Sequence, residues 1–480
     1  MPRVWASKIR ISARRAAAGF AVTLLACGGF GGADAQTLEQ ALTQAYQNNP
    51  QLNSQRAIVR QTDEGVPQAL AGYRPRISGV VSVGSQNLSQ TSRSNPAIAA
   101  LTGGGVYSTI EGTTVPQSYG LTASQTLFNG FQTANRTRAA ESQVLAARET
   151  LRLLEQQVLL DAATAYMNLL RDNAILDLQR RNVEVLEEQL RQTRDRFNVG
   201  EVTRTDVAQS ESRLAAGRSQ QLAAEANVNT SRATYRRVIG VEPGKLSPAA
   251  PVERFSPTRL DVAVSRGQAE NPAVTAAMYG VDVAQLQVKI AEGALYPTVA
   301  VTGMVQKTYE TAPGTLETFN ASLIGQLTVP LYQGGGEYAT IRQSKEVLGQ
   351  RRLDLDTNRD QARANVVQSW GQLQAAKAQI TATQSQVNAA EIALNGVREE
   401  ARVGQRTTLD VLNAQQELVN ARVALVTAQR DRVVASYALL SATGRLSPQV
   451  LGLRVIIYDP RVHYHQVRDA WWGVRTPDGR

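Results

Sequence analysis

Cysteine, histidine and long apolar runs are nearly missing from this chain of 480 residues. The single cysteine, Cys27, lies near the N-terminus, so no internal disulfide and no thiol chemistry is expected. The only histidines are His463 and His465. A Ser/His/Asp set therefore has no base along most of the chain. His463-Tyr464-His465 also lacks the carboxylate or cysteine company of a metal site. Outside the N-terminal segment no apolar run reaches the ~18 residues of a membrane-spanning helix, so strands must make any bilayer crossing. Aromatic residues are only 5% of the chain, sparse for a thick globular core.

Glycine and proline are absent from Phe131 to Val199. Leu145, Leu151, Leu154, Val158, Leu169, Ile175, Leu178, Val183, Leu186, Leu190 and Phe197 recur there at steps of three and four, the helical period. At ~1.5 Å per residue this stretch makes a rod of about 100 Å. Such a rod must lie along other long helices, as in a coiled coil or helical barrel.

The formal charge is +10, but Met1 to Ala35 reads as an export signal. It has Arg3, Lys8, Arg10, Arg14 and Arg15, an apolar centre from Ala16 to Ala26, and Ala33-Asp34-Ala35 for cleavage. Its removal leaves about +6. No basic patch interleaved with aromatics appears, so nucleic acid is not an expected partner. Leu24-Leu25-Ala26-Cys27 loosely resembles a lipoprotein box, with bulky Leu25 where a small residue is usual.

The remainder reads as two related halves. Asn49-Pro50 and Pro75 recur as Asn271-Pro272 and Pro297, a shift of 222. Leu127-Phe128-Asn129-Gly130 recurs as Leu331-Tyr332-Gln333-Gly334, and Gly240 as Gly444, a shift of 204. One inserted residue rotates a helical stripe by ~100°, so such unbroken register suits packed rods. The organisation expected is a signal at 1–35, a first repeat at 36–240, a linker or equatorial region at 241–270, a second repeat at 271–446 and a tail at 447–480.

Each half predicts a helix, two strands, a long helix and a return helix. Ile77 to Val83 alternates with period two, and an exposed, mobile Ser/Asn/Gly-rich loop is expected from Gln86 to Pro116. Tyr119, Leu121, Ala123 and Leu127 form one face of the next strand. Val299, Val301 and Val305, then Phe319, Ala321, Leu323, Leu327, Val329 and Leu331, repeat the pattern. Each strand has the length that crosses a bilayer, alternating apolar and polar. Four strands cannot close a membrane barrel, and open edges cannot face lipid, so further copies are needed. Three chains give twelve strands, continued by a cylinder of helices.

The second long helix starts after Gly334-Gly335-Gly336, with Gly349, Gly371 and Gly396 expected to bend it. Without a following Lys-Ser/Thr, that glycine run is not a phosphate loop. Carboxylates lie scattered beside Lys and Arg, the pattern of solvated helix faces. No enzyme, metal or cofactor is expected. The two turns, Val199-Gly200 with Thr203 and Asp206, and Val403-Gly404 with Thr407 and Asp410, carry the chemistry that remains. Either Asp can be a helix cap. Alternatively, symmetry gathers acidic residues into a ring like a channel constriction, with Arg406 pairing with Asp206.

Val199–Val207 and Val403–Val411, both Val-Gly-x-x-Thr-x-x-Asp-Val, together with the duplicated halves and the Leu-Tyr-Gln-Gly-Gly after a strand, resemble the TolC family of outer-membrane channel proteins. The resemblance covers about Thr37 to Gly444. It implies a homotrimer in outer-membrane lipid, with a 12-stranded β-barrel and a periplasmic α-helical barrel. It also implies an exit duct for type I secretion or multidrug efflux. A periplasmic adaptor (membrane fusion) protein and an inner-membrane transporter complete that duct. By position, Asp206 and Arg406 match family residues linking neighbouring coils at the closed tip, and Asp410 the acidic constriction. Ala401 and Asn413 depart from the family's tyrosine and second aspartate, which implies a weaker, less acidic gate. Val199, Gly200, Thr203, Val403, Gly404 and Thr407 are expected to meet the adaptor. The competing expectation is a trimeric coiled-coil scaffold with no conducting path.

Overall fold

The computed structural model describes residues 35–479 except 94–96, 98–99, 102 and 104–106. The export segment up to Asp34, with Cys27, lies outside the described residues. Helices dominate. Short helices α1 (Leu38–Asn48), α2 (Pro50–Asp63) and α3 (Gly65–Leu70) precede the first strands. The long helix α4 (Gln132–Asn198) turns into α5 (Arg204–Ile239). Helices α6 (Leu260–Glu270) and α7 (Pro272–Gly293) lead to the second pair of strands. A second long helix, α8 (Gly336–Arg402), turns into α9 (Thr408–Ala442), and the tail adds α10 (Pro448–Leu451) and α11 (Pro460–Val467). Each long helix has 67 residues.

Coiled-coil packing explains their length. In α4, Leu169, Leu176, Val183 and Leu190 are buried at intervals of seven, as are Asp172, Gln179, Leu186 and Thr193 three residues further on. In α8, Val366, Leu373, Val387 and Leu394 keep the same grid, with Ala362, Ala376 and Thr383 beside it. A strict seven-residue period keeps one seam facing its partner and imposes a left-handed supercoil. The partners are α5 for α4 and α9 for α8, with α7 lying against both long helices. No break interrupts α8 at Gly349, Gly371 or Gly396, contrary to the expected irregularity. A Cβ at any of the three would meet open space, so these glycines mark exposed surface rather than kinks.

The largest core surrounds Tyr46, Tyr166, Tyr235, Leu42, Ile239, Leu440 and Leu446, where α1, α2, the linker and the tail wrap the long helices. Tyr166 donates its buried hydroxyl toward Gln36 O (2.8 Å) and Ser247 O (2.6 Å), fastening the linker. Asn49 and Asn271 cap α2 and α7, each ahead of a proline at the first helical position. Their amides donate to Val238 O (3.0 Å) and Ala442 O (3.2 Å), residues 204 apart at the ends of the return helices.

Gly240 and Gly444 close those ends with positive φ. At Gly444 (φ 77°) an added Cβ would lie 2.5 Å from Glu270 O, whereas Gly404 (φ 80°) faces open space. Gly404→Ala should therefore cost only left-handed strain, about 1–2 kcal/mol. Gly444→Ala adds a backbone collision and should lower the thermal midpoint clearly further in a calorimetric comparison.

Strands β1 (Arg76–Val83), β4 (Gln117–Asn129), β5 (Thr298–Tyr309) and β6 (Glu317–Thr328) form one antiparallel sheet in the order β1-β4-β5-β6. The expected loop is instead a second ribbon, β2 (Gln86–Arg93) with β3 (Tyr107–Thr114). It is held by cross-strand polar pairs, such as the Thr91 and Thr109 hydroxyls at 2.9 Å. The alternation expected through Leu127 ends in a β-bulge between Thr126 and Phe128. In the tail, α11 buries His463 and Val467.

Candidate functional site

The register sorts the sheet into two chemistries. Ile77 faces Ala123, Gly79 faces Leu121, Leu121 faces Val305, Val305 faces Ala321, and Gly303 faces Leu323. Residues directly opposite share a face. One surface is thus mainly apolar, carrying also Val81, Tyr119 and Phe319, with Lys307 opposite both of these rings and paired with Glu317 at the strand ends. The other carries Ser78, Ser82, Ser118, Thr122, Thr302, Gln306, Asn320 and Ser322, with Val80, Ala300, Met304 and Ile324 as exceptions. Both surfaces are largely open to solvent in the single chain; Leu323 is 79% exposed. Strands β1 and β6 each leave one edge unpaired. No described helix is long and apolar enough to cross a membrane.

At the far end, about 100 Å along the long helices, lie the two helical hairpin tips. Each tip is built by the same local chemistry. Gly200 (φ 82°) and Gly404 (φ 80°) take the left-handed conformation that ends a helix. Glu201 N donates to Arg196 O and Gln405 N to Glu400 O, both at 2.9 Å, satisfying orphan carbonyls. Thr203 and Thr407 then start the return helices as capping boxes. Asp206 accepts from Thr203 N (2.9 Å) and Oγ1 (2.7 Å); Asp410 accepts from Thr407 N (3.0 Å) and Oγ1 (2.9 Å). Val199 and Val403 stand out at 76% and 71% exposure, apolar side chains with no cover in this chain.

Within the chain Arg406 bonds Glu400 at 2.9 Å, and Arg196 bonds Glu201 at 2.7 Å. Asp206 is engaged by Thr203, so the chain alone does not bring Asp206 and Arg406 together. Asn413 accepts from Arg213 at 2.6 Å, a bond that ties the first return helix to the second. Ala401 packs against the small core of Val387, Leu394, Val411 and Leu418. Glu400 and Arg213 are thus tip residues beyond those expected. Arg213 follows the first Asp by seven residues, one heptad along the same face, which is the signal that marks it.

Thr203's hydroxyl and amide hold the Asp206 carboxyl below its ordinary 3.8, and Thr407's amide and hydroxyl do the same for Asp410. An acid held below its unfolded value stabilises the fold above that value and stops doing so as pH falls through the folded value. Both capping boxes should therefore stay intact from neutral pH down to about 4 and loosen only below it. Amide exchange at the tips, corrected for intrinsic rate, checks this. Asp410→Asn should flatten the dependence at the second tip alone.

Among the described residues no group of three His, Cys, Asp or Glu is placed to hold a metal. His463 lies against buried Asp63, Nδ1 to Oδ2 3.0 Å.

Long paired helices carrying an amphipathic sheet with open edges define a class: channel-type proteins of the outer membrane. The chain belongs to the outer membrane efflux protein family, whose model matches residues 41–241 and 263–445. It is 44% identical to outer membrane efflux protein BepC of Brucella suis, over 93% of each chain. It is 26% identical to outer membrane protein TolC of Vibrio cholerae, over 86% of this chain and 92% of that one. The Campylobacter jejuni CmeC outer membrane channel has the same fold, with a TM-score of 0.74 at 16% identity over 90% and 89% of the chains. The TolC-family resemblance and the outer-membrane location are thereby established.

Proposed function

We propose that three copies of this chain close into one tube, an exit duct for efflux or type I secretion. The carrying observation is the sheet: its faces are sorted as a membrane wall requires, while its two edges remain unpaired. Lipid does not tolerate unpaired strand edges, so each β6 takes the β1 of a neighbour and twelve strands result. The apolar face meets outer-membrane lipid and the polar face lines the lumen. The matched bonds of Asn49 and Asn271, 222 residues apart, support an origin by internal duplication. Residues 1–35 act as the export signal.

The duct is passive, holds no cofactor and performs no catalysis. Its mouth lies at the hairpin tips, where Asp206, Arg406, Asp410 and Asn413 form the constriction and Arg406 reaches Asp206 of the next copy. The exposed Val199 and Val403, with Gly200, Thr203, Gly404 and Thr407, receive the periplasmic adaptor that couples an inner-membrane transporter. Exposed ion pairs are individually weak, so an adaptor opens such a ring at modest cost.

Purified protein reconstituted in planar bilayers should show discrete conductance steps from a species of trimer mass. A stable detergent monomer would overturn the tube, and a trimer without steps would favour the scaffold reading. Arg406→Glu sets like charges beside Glu400 and should raise resting conductance several-fold; unchanged conductance counts against the gate.

A further inference from the structure

We infer that the C-terminal segment is a membrane-interface anchor, presenting Trp471 and Trp472 to the phospholipid headgroups of the periplasmic leaflet. The inference rests on the reading that the four-stranded sheet is the membrane wall, and it adds a second contact with the same bilayer.

The segment is pinned along its length. Tyr458 N donates to the Tyr46 hydroxyl at 3.3 Å, His463 and Val467 are buried, and Arg468 pairs with Glu141 at 3.6 Å. Arg74 then catches the chain as it emerges. Its guanidinium donates to Ala470 O at 2.6 Å and lies 4.7 Å from the centre of the Trp471 ring. Arg74 stands two residues before β1 begins at Arg76. The contact therefore fixes the height of the two tryptophans at the junction of helix and strand, where a wall strand leaves the bilayer.

Among the described residues, none covers Trp472. Trp472 is 93% exposed, and Val474 projects fully. The same junctions expose Tyr73, Phe131, Tyr296 and Tyr332. Amphipathic aromatic rings at this height are what a bilayer interface selects, because the ring body sits among acyl chains while N–H or O–H reaches water. Exposed rings recur at the helix–strand junctions, and this recurrence favours lipid over a soluble protein as the occupant.

Trp370 supplies an internal control. It packs beside Val366 and Leu373 in a small core shared by α6, α8 and α9, about 50 Å along α8 from the sheet. The test uses full-length protein in two sets of phosphatidylethanolamine–phosphatidylglycerol vesicles, one with acyl-chain bromine near the headgroup to read Trp472 and one with bromine deep in the chain to read the sheet. All variants carry Trp5→Phe. One keeps only Trp472 (Trp370→Phe with Trp471→Phe), and one keeps only Trp370 (Trp471→Phe with Trp472→Phe). A third replaces all native tryptophans with Phe and adds Leu323→Trp on the apolar face of the sheet. Trp472 should lose about half its emission on bromination while Trp370 stays nearly unchanged. Quenching of the Leu323→Trp reporter without Trp472 overturns the anchor and leaves the wall standing. In that case a change in Trp472 emission on trimer assembly would show that a second copy covers it. Failure of both reporters overturns the wall itself. Equal quenching of Trp370 would reveal nonspecific adsorption and also overturn the anchor.

Discussion

Leu323→Arg should remove the protein from the outer membrane, whereas Ser322→Arg, one residue earlier, should leave it there. Leu323 faces Gly303 on the apolar surface, and Ser322 faces Met304 on the polar one. The side-chain period of a strand is two, so adjacent residues test opposite faces of one wall. A lipid-facing arginine near mid-bilayer costs roughly 2–4 kcal/mol, and three copies in the proposed tube raise that to about 6–12 kcal/mol. Net stabilities of folded proteins lie near 5–15 kcal/mol, so the first variant loses most of its margin. An arginine at Ser322 projects into water and should change ion selectivity rather than assembly. Membrane fractionation with heat-modifiability on gels reads assembly, and conductance reads selectivity. If Leu323→Arg inserts normally while Ser322→Arg does not, the two faces are exchanged. If both insert, the sheet is not a membrane wall.

The four strands of the larger sheet were legible because their alternation is chemical: Val and Leu against Ser, Thr and Asn. The β2–β3 ribbon was not, because Leu88 and Ile110 share their face with Gln90, while Ser89, Thr91, Thr109 and Glu111 make the other, so neither face is consistently apolar. Without a buried face, period two leaves no hydrophobic trace. Long helices were visible from missing glycine and proline, but their supercoil was masked. One of the two rows of the seam in α4 is largely polar, with Asp172, Gln179 and Thr193 at buried positions. Asp172 is tolerated there because Arg171 and the Ser231 hydroxyl satisfy it. At the tips, glycine and capping chemistry were readable from Val-Gly-x-x-Thr-x-x-Asp. The Arg406–Glu400 bond was not, since a spacing of six is no neighbour relation on a helix, and only the turn at Gly404 brings them together. The tail stayed opaque because each of its anchors is a single residue reaching a distant partner, as His463 does to Asp63.

One alanine inserted between Ala382 and Thr383 should prevent assembly of the duct, although both flanks of α8 favour helix. The added residue rotates everything below it by ~100° about the helix axis. Val387 and Leu394 then leave the seam they share with Val411 and Leu418. Burying a side chain of this size contributes about 1.5–3 kcal/mol, so losing four contributes a deficit of roughly 6–12 kcal/mol. No helix propensity offsets that, since exchanging one good helix former for another changes less than about 1 kcal/mol. A single alanine after Gly314, in the turn between β5 and β6, should be accepted, because that turn carries no periodic seam. Seven residues inserted at matched heights in α4, α5, α8 and α9 should restore assembly and lengthen the rod by about 10 Å, since seven returns every seam to register. Gel mobility of the trimer and particle length in electron micrographs distinguish these outcomes. Were the one-residue insertion to assemble as well as the parent, the heptad seam would not be what holds the helices together.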